Sequence, residues 1–519
     1  MVKKYLPIVI LLLLTIPSIW FLLLPGFFES DDGEWMVIRF SAFYQSLSDG
    51  QFPVRFLGRL NHGYGYPVAN FLYPGFMYLA IPIKAMSFSF VDSIKIILIA
   101  SMIFSGLFAF FWLRKIFDDI SSFAGALFYA YAPYHLFDLY KRGSVGEVLS
   151  LAVTPFVLWQ IERNSIFWSS IGIALLILSH NTIALMFVAF SILYMLFNIY
   201  VSSQKKMLSL NYLLMIVLGF GMSSFFWVPA ISELKYTIFS QTSISDPYQY
   251  FSNSNLIGIP TLLILGIVVT LFITRRIQIN KHRLTVLMFA VAVLSLFFAI
   301  ELSAILWRIF PVSFIQFPFR FLSVTILSVA FLASCIVSVV HKNYKISIAL
   351  ALIIMFFVSA YPHVFSYKKT VKDDSFYFTN EATTTVKDEY MPKWVKNKPD
   401  GRYREKVEIV EGSGQIKNLS YNDSKKISFD IEAATASRIR INTIYYPGWK
   451  AYVDGNESKI DYSNDAGVVD VDVGKGSSRV EFVFTETPLR FFADVLSLSS
   501  LVILISFALK TTYIRRVSS

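Results

Sequence analysis

Long apolar runs broken by short basic junctions set the pattern of this chain. The first run, Tyr5 to Pro25, follows Lys3 and Lys4 and is long enough to cross a bilayer. No small-x-small cleavage site appears before Glu29, so it reads as a retained first helix rather than a signal peptide. Further runs near the length a crossing needs fall at 92–113, 121–137, 146–161, 165–179, 182–200, 210–229, 256–274, 284–301, 319–340, 345–361 and 490–509. Arg114/Lys115, Arg163, Lys205/Lys206, Arg275/Arg276/Lys281/Arg283, His341/Lys342/Lys345 and Lys510/Arg515/Arg516 all fall on the side of Lys3/Lys4. Basic loops stay cytoplasmic, so the pattern predicts about twelve spans with both termini inside. The segment Asn70 to Met86 is apolar but holds Pro74, Pro82 and Lys84, and counting it as a crossing would put every basic cluster outside. It reads as a juxtamembrane or re-entrant helix on the outer face.

Two outer segments are long. Residues 26–91 form a large first loop, and residues 362–488 turn polar and charged. In the latter, Lys426-Ile-Ser-Phe-Asp-Ile, Arg438-Ile-Arg-Ile-Asn and Arg479-Val-Glu-Phe-Val-Phe alternate with period two between turns such as Asp454-Gly455 and Asn464-Asp465. That pattern predicts a small β-sandwich outside the membrane. The chain thus divides into a transmembrane domain over 1–361, a β-rich extracytoplasmic domain over 362–488, and a final helix with a cytoplasmic tail over 489–519.

Composition agrees. With 55% hydrophobic and 16% charged residues and a mean hydropathy of +0.57, much of the chain must be solvated by lipid. Disorder, a fibrous repeat and a cytosolic enzyme are excluded. The net charge of +11 follows from the cations beside the spans, so the partner it implies is membrane lipid and not nucleic acid. Cys335 is the single cysteine, and His62, His135, His180, His282, His341 and His363 show no HxH or HExxH spacing, so no dedicated metal site is read. No cofactor is specified, and metal dependence, with a divalent cation as the option, stays open.

Ionisable residues at the membrane edge are costly and so are functional candidates. Glu29-Ser-Asp31-Asp32-Gly-Glu34-Trp35 follows the first span, and a carboxylate there can act as general base for an acceptor hydroxyl. An acidic loop that simply stays outside is the plain alternative. The loop continues through Arg39, Arg55 and Asn61-His62-Gly-Tyr64-Gly-Tyr66-Pro67, whose rings offer either a sugar-stacking surface or a packed turn. Tyr134-His135-Leu-Phe-Asp138-Leu-Tyr140-Lys141-Arg142-Gly143-Ser-Val-Gly146-Glu147 sets Lys141 and Arg142 outside, against the charge rule. They can hold a phosphate, or pair locally with Asp138 or Glu147. Ser179-His180-Asn181-Thr182 lies at the same outer boundary. In Phe314-Ile-Gln316-Phe317-Pro318-Phe319-Arg320-Phe321, Arg320 is again an outside cation, either snorkelling or a second phosphate ligand facing Arg142.

These stretches resemble the bacterial YfhO-like membrane proteins, also labelled "6-pyruvoyl-tetrahydropterin synthase-related", within the GT-C glycosyltransferase superfamily. The matching motifs are Asp32-Gly-Glu34-Trp35 with Arg39, Gly50-Gln-Phe-Pro53-Val-Arg55, Gly63-Tyr-Gly-Tyr-Pro67, Asp138-Leu-Tyr-Lys-Arg142-Gly with Gly146-Glu147, Ser179-His180-Asn181, Gln316-Phe-Pro-Phe-Arg320 and Tyr445-Tyr-Pro-Gly448-Trp449-Lys-Ala-Tyr452-Val-Asp454-Gly455. They run from end to end of the chain. The family pattern has a histidine before the aspartate and another four residues after it, where this chain has Asp31 and Met36.

The resemblance implies a GT-C-like helical domain in a bacterial plasma membrane. It also implies inverting transfer of a sugar from a polyprenyl-phosphate donor to an envelope glycan, lipid or protein on the outer face. Asp32 would be the general base and Glu34 would orient the acceptor. Arg142, Lys141 and Arg320 would hold the donor phosphate, with Arg55, His62, Tyr64, Tyr66, Asp138, Glu147, His180 and Gln316 in support. No P-loop or Rossmann pattern is present, as a lipid-linked donor allows. Two other readings stand beside it: a catalytically silent protein that binds glycan or scaffolds envelope assembly, and a transporter with Glu301 as its membrane acid.

Overall fold

The computed structural model describes residues 2–242, 247–309, 315–365 and 367–517. Phe314, which opens the stretch before Arg320, lies outside them. The chain is a polytopic α-helical membrane protein with a C-terminal β-sheet domain ahead of its last helix.

Eight helical segments among the described residues are long and apolar enough to span: Leu6–Leu23, Phe90–Leu113, Val145–Glu162, Asn181–Val201, Lys205–Met222, Pro318–Val339, Lys342–Val364 and Pro488–Lys510. A ninth arises if Arg283–Ala299 and Glu301–Ile309, bent by 82°, form one span. This count is below the twelve that hydropathy predicts, because three runs fold into shorter helices. Asp119–Tyr131, Ile166–Ser179 and Ile259–Ile273 hold 13, 14 and 15 residues, about 20–23 Å at 1.5 Å per residue against a hydrocarbon core of about 30 Å. The breaks have local causes. Ala132 is extended ahead of Pro133, as a residue before proline prefers. His180 is extended (φ −165°) and ends one helix while its ring caps the next. Gly258 takes φ +80° ahead of Ile259. Glu301 sits at the 82° bend and is exposed.

The doubtful Asn70–Met86 segment contains the helix Gly75–Ala85, 11 residues long, about 16 Å and thus half a crossing. The first loop is more ordered than its sequence suggests. It carries a 16-residue helix, Gly33–Ser48, and its Phe27–Phe28 pairs antiparallel with Lys369–Thr370.

Beyond residue 406 the chain forms two antiparallel sheets. The five-stranded sheet runs Gly414–Asn422, Lys426–Ala433, Gly476–Phe484, Trp449–Val453, Asn456–Ser458, and the three-stranded one Val407–Glu411, Ser437–Ile444, Val468–Val473. The alternation is literal: Ile427, Phe429, Ile431 and Ala433 are buried while Lys426 and Glu432 are exposed. Asp454 (φ +52°) and Gly455 (φ +80°) close the two-residue hairpin into Asn456. Phe56 and Phe71 of the first loop enter the same core as Trp449 and Phe482, so loop and sheets form one body.

Within the helices, burial is uneven. The windows of Pro318–Val339 and Val145–Glu162 are 89% and 83% buried, against 17% for the last helix. Those two central helices carry Arg320 and Glu147.

Candidate functional site

The acidic loop and the basic segment meet through backbone first. The amides of Asp31 and Asp32 donate to the carbonyls of Lys141 and Arg142 at 2.9 and 2.8 Å. Two ion pairs follow, Lys141 Nζ to Asp31 Oδ1 at 2.7 Å and Arg142 Nη2 to Asp32 Oδ2 at 3.2 Å. Gly143 permits this approach. Its φ is +63°, and a Cβ there would stand 2.5 Å from Ser30 Oγ and 2.8 Å from the Gly33 backbone.

Behind Arg142 lies a buried hub. Glu147, in the first turn of Val145–Glu162, has no exposed side-chain surface. Its Oε1 accepts from Arg142 Nη1 at 2.9 Å and from Arg320 Nε and Nη2 at 3.1 and 2.9 Å. Tyr134 donates to Oε2 at 3.4 Å. Phe317 and Phe319 stack at 5.1 Å; Phe317 faces both guanidinia, 4.8 Å from Arg320 and 5.0 Å from Arg142, and Phe319 faces Arg142 at 5.2 Å. Such contacts hold the planar cations in fixed orientation. Gln316 accepts from Arg320 Nη1 at 3.0 Å, and the Ile315 carbonyl accepts from the same nitrogen at 2.8 Å. Every guanidinium nitrogen of Arg320 is therefore taken, whereas among the described residues Arg142 Nη2 faces only Asp32, whose side chain is 38% exposed.

His180 Nε2 stands 3.5 Å from Glu147 Oε1. Its Nδ1 accepts from the Ile183 amide and caps the helix Asn181–Val201. Burial outweighs the attraction of Glu147 and pushes the imidazole down to about 3, so the ring is neutral at physiological pH. Asp138 is fully buried, with no hydrogen-bond partner on either side-chain oxygen among the described residues. Burial, reinforced by the Glu147 charge, raises its carboxyl well above the usual range. Burial opposes the charge on Arg142, but buried Glu147, with Asp32, outweighs it and holds the guanidinium firmly protonated.

The structure thus brings Asp32, Lys141, Arg142, Asp138, Glu147, His180, Gln316 and Arg320 together. It does not bring the remaining candidates in. Glu34 is held bidentately by Lys372 at 2.7 Å. Arg55 binds Asp494 at 2.9 Å and Glu486 at 3.4 Å beside the last helix. Tyr66 is buried, with its hydroxyl 2.9 Å from Thr385 Oγ1 and accepting from the Tyr390 amide. Tyr64 packs edge-on against Tyr403. His62 lines a separate cavity of about 460 Å³ with residues 379–383 and Lys398. The Gly-Tyr turn is a seam between first loop and β domain: the Ile444 amide donates to the Tyr64 carbonyl at 2.8 Å.

Three further residues surround His180 and the first-loop carboxylates without being singled out by the sequence motifs. Tyr73 lies 4.5 Å from the His180 ring, and burial pushes its phenol up to about 12. Lys372, just ahead of the short helix Asp374–Thr379, holds Glu34. Glu389 is half-buried within the field of Arg39 and Asp32, and burial raises its carboxyl. Nothing in their local sequence marks them, because their partners lie hundreds of residues away. Among the described residues no group of three or more His, Cys, Asp or Glu is gathered as a metal ion requires. Asp31, Asp32 and Glu34 each face a cation instead.

No family model matches the chain, and no curated protein matches it in sequence. Among solved structures, the apo oligosaccharyltransferase of Archaeoglobus fulgidus aligns over 73% of this chain and 57% of its own, with TM-score 0.47 and 14% identity. The same organism's AglB in complex with an inhibitory peptide and a dolichol-phosphate aligns over 73% and 57%, with TM-score 0.41 and 14% identity. The mycobacterial arabinofuranosyltransferase AftD aligns over 72% and 28%, with TM-score 0.42 and 14% identity. This chain spans little more than half the length of the archaeal enzyme. At that identity and superposition no residue role passes from these enzymes to this chain. It is a polytopic helical membrane protein with a β-sheet domain and a buried Arg–Glu–Arg cluster at one end of its two central helices.

Proposed function

We propose that this protein transfers a sugar from a lipid-linked phosphate donor, a polyprenyl-phosphate sugar, to an envelope glycan, lipid or protein on the outer face of a cell membrane. The observation that carries this reading is the division of labour on Arg142. Nη1 is fixed on buried Glu147, and Nη2 faces, among the described residues, only half-exposed Asp32. A guanidinium so oriented offers a ready donor to a phosphate oxygen, and preorganised cations favour the charge that develops on a leaving phosphate.

A donor phosphate arriving at Arg142 Nη2 takes the position of Asp32 and frees that carboxylate. Asp32 then accepts the proton of the acceptor hydroxyl. The acceptor oxygen bonds to the anomeric carbon from the face opposite the phosphate. The carbon–oxygen bond to phosphate breaks with its electron pair leaving on the phosphate, and configuration inverts. Arg320, with all its nitrogens engaged, acts by position and charge: it shares Glu147 and keeps Arg142 in place. Neutral His180 stands beside the same Glu147 oxygen that the two guanidinia share.

A second reading has one observation in its favour. The cluster is internally paired as it stands, which suits a silent scaffold. Transfer assayed in membranes with a polyprenyl-phosphate sugar separates the two. Asp32→Asn should lower turnover by a factor of 10²–10⁴, the usual worth of a general base, with folding intact. Turnover equal to that of the unmodified protein would remove Asp32 as the base, and absence of transfer in both would favour the scaffold.

A further inference from the structure

A second charged site lies at the far end of the helix that carries Arg320. From Arg320 to Ser338 the chain is continuous helix, about 27 Å at 1.5 Å per residue, close to the thickness of a hydrocarbon core. There Phe331 and Cys335 form the apolar floor of a cavity of about 380 Å³. Its rim is Asp118, Lys281, His282 and Arg283.

The charge balance of this cavity is positive. Asp118 is already committed: it accepts from Lys345 Nζ at 2.6 Å, and its side chain caps the helix Asp119–Tyr131. Burial opposes its charge, but these bonds outweigh burial and hold the carboxyl below its ordinary value. Among the described residues no carboxylate lies within 4 Å of Lys281 or Arg283. The charge rule for membrane insertion accounts for cations on this side of the helices. It does not account for their surrounding a hollow with an aromatic and thiol floor between three helices.

We propose that this cavity binds a phosphate group, carried by an anionic lipid headgroup of the leaflet opposite the Arg142 cluster. The cations take the phosphate oxygens, and the apolar floor takes the glycerol and the first carbons of the acyl chains. Basic pockets between membrane helices recognise headgroups in this way. The site is independent of the proposed transfer reaction, since none of its residues touches that cluster.

The test is native mass spectrometry of the full-length protein in detergent, titrated with phosphatidylglycerol, with phosphatidylcholine and with inorganic phosphate. The unmodified protein should retain phosphatidylglycerol at least tenfold more tightly than phosphatidylcholine. The double variant Lys281→Gln/Arg283→Gln should lose that preference, and Lys281→Arg/Arg283→Lys should keep it. Competition by millimolar inorganic phosphate would assign recognition to the phosphate alone, whereas its absence would assign it to the intact lipid. Equal retention of the two lipids by the unmodified protein, an unchanged preference in the neutral double variant, or an equal loss in the charge-conserving one would overturn the proposal.

Discussion

Arg320 and Glu147, 173 residues apart, meet through two guanidinium nitrogens on a single carboxylate oxygen, at 3.1 and 2.9 Å. The same oxygen accepts from Arg142, so one buried anion fixes two cations from different helices. Removing one partner of such a group leaves the others charged, buried and uncompensated.

Glu147→Ala should therefore destabilise the protein by about 3–5 kcal/mol, the usual cost of breaking a buried ion pair. Thermal unfolding in detergent measures it. A melting temperature equal to that of the unmodified protein would show that the hub does not hold the central helices together.

Asp138 behaves oppositely. Its folded-state pKa is raised by burial and then by Glu147, so the folded protein holds a proton that the unfolded chain releases near pH 3.8. The stabilisation tied to that proton is complete below the unfolded value and is lost as pH rises through the folded one. Asp138→Asn removes the titration. The variant should match the unmodified protein near pH 3.8 and exceed its stability at neutral pH, read from unfolding curves across that range. A variant less stable at neutral pH would mean that the carboxylate is ionised and paired.

Gly143 sets the approach of the acidic loop to Arg142. Gly143→Ala forces a Cβ against Ser30 and Gly33 at a backbone angle of +63° that alanine disfavours. The expected result is a stability loss of more than about 1 kcal/mol with at least a tenfold fall in transfer, because Asp32 moves while remaining intact. Full activity would show that the spacing between loop and cation is not critical.

The sequence made some of this legible and left the rest hidden for definite reasons. Period-two alternation located the strands at Lys426–Ala433 and Gly476–Phe484 because each has one dry and one wet face. Cations placed against the charge rule pointed to Arg142 and Arg320, since topology gave no reason for them. Three of the twelve apolar runs form helices of 13–15 residues, because hydropathy sums apolar residues and does not see that Ala132 before Pro133, or an extended His180, interrupts a helix. The helix Gly33–Ser48 does not stand out in the first-loop sequence because its core neighbours, such as Tyr377, come from distant segments. The resemblance places Glu34 beside Asp32 as orienter of the acceptor, and only the distant Lys372 sets it apart.

The central claim is that Arg142 grips the donor phosphate in the position Asp32 occupies in the free protein. Binding of sugar-free polyprenyl phosphate to the detergent-solubilised protein tests it directly. The account predicts at least tenfold weaker binding for Arg142→Lys, which keeps the charge but loses the fork, and equal or tighter binding for Asp32→Asn, which removes the competing carboxylate. Unchanged affinity in Arg142→Lys, or weaker binding in Asp32→Asn, would contradict it.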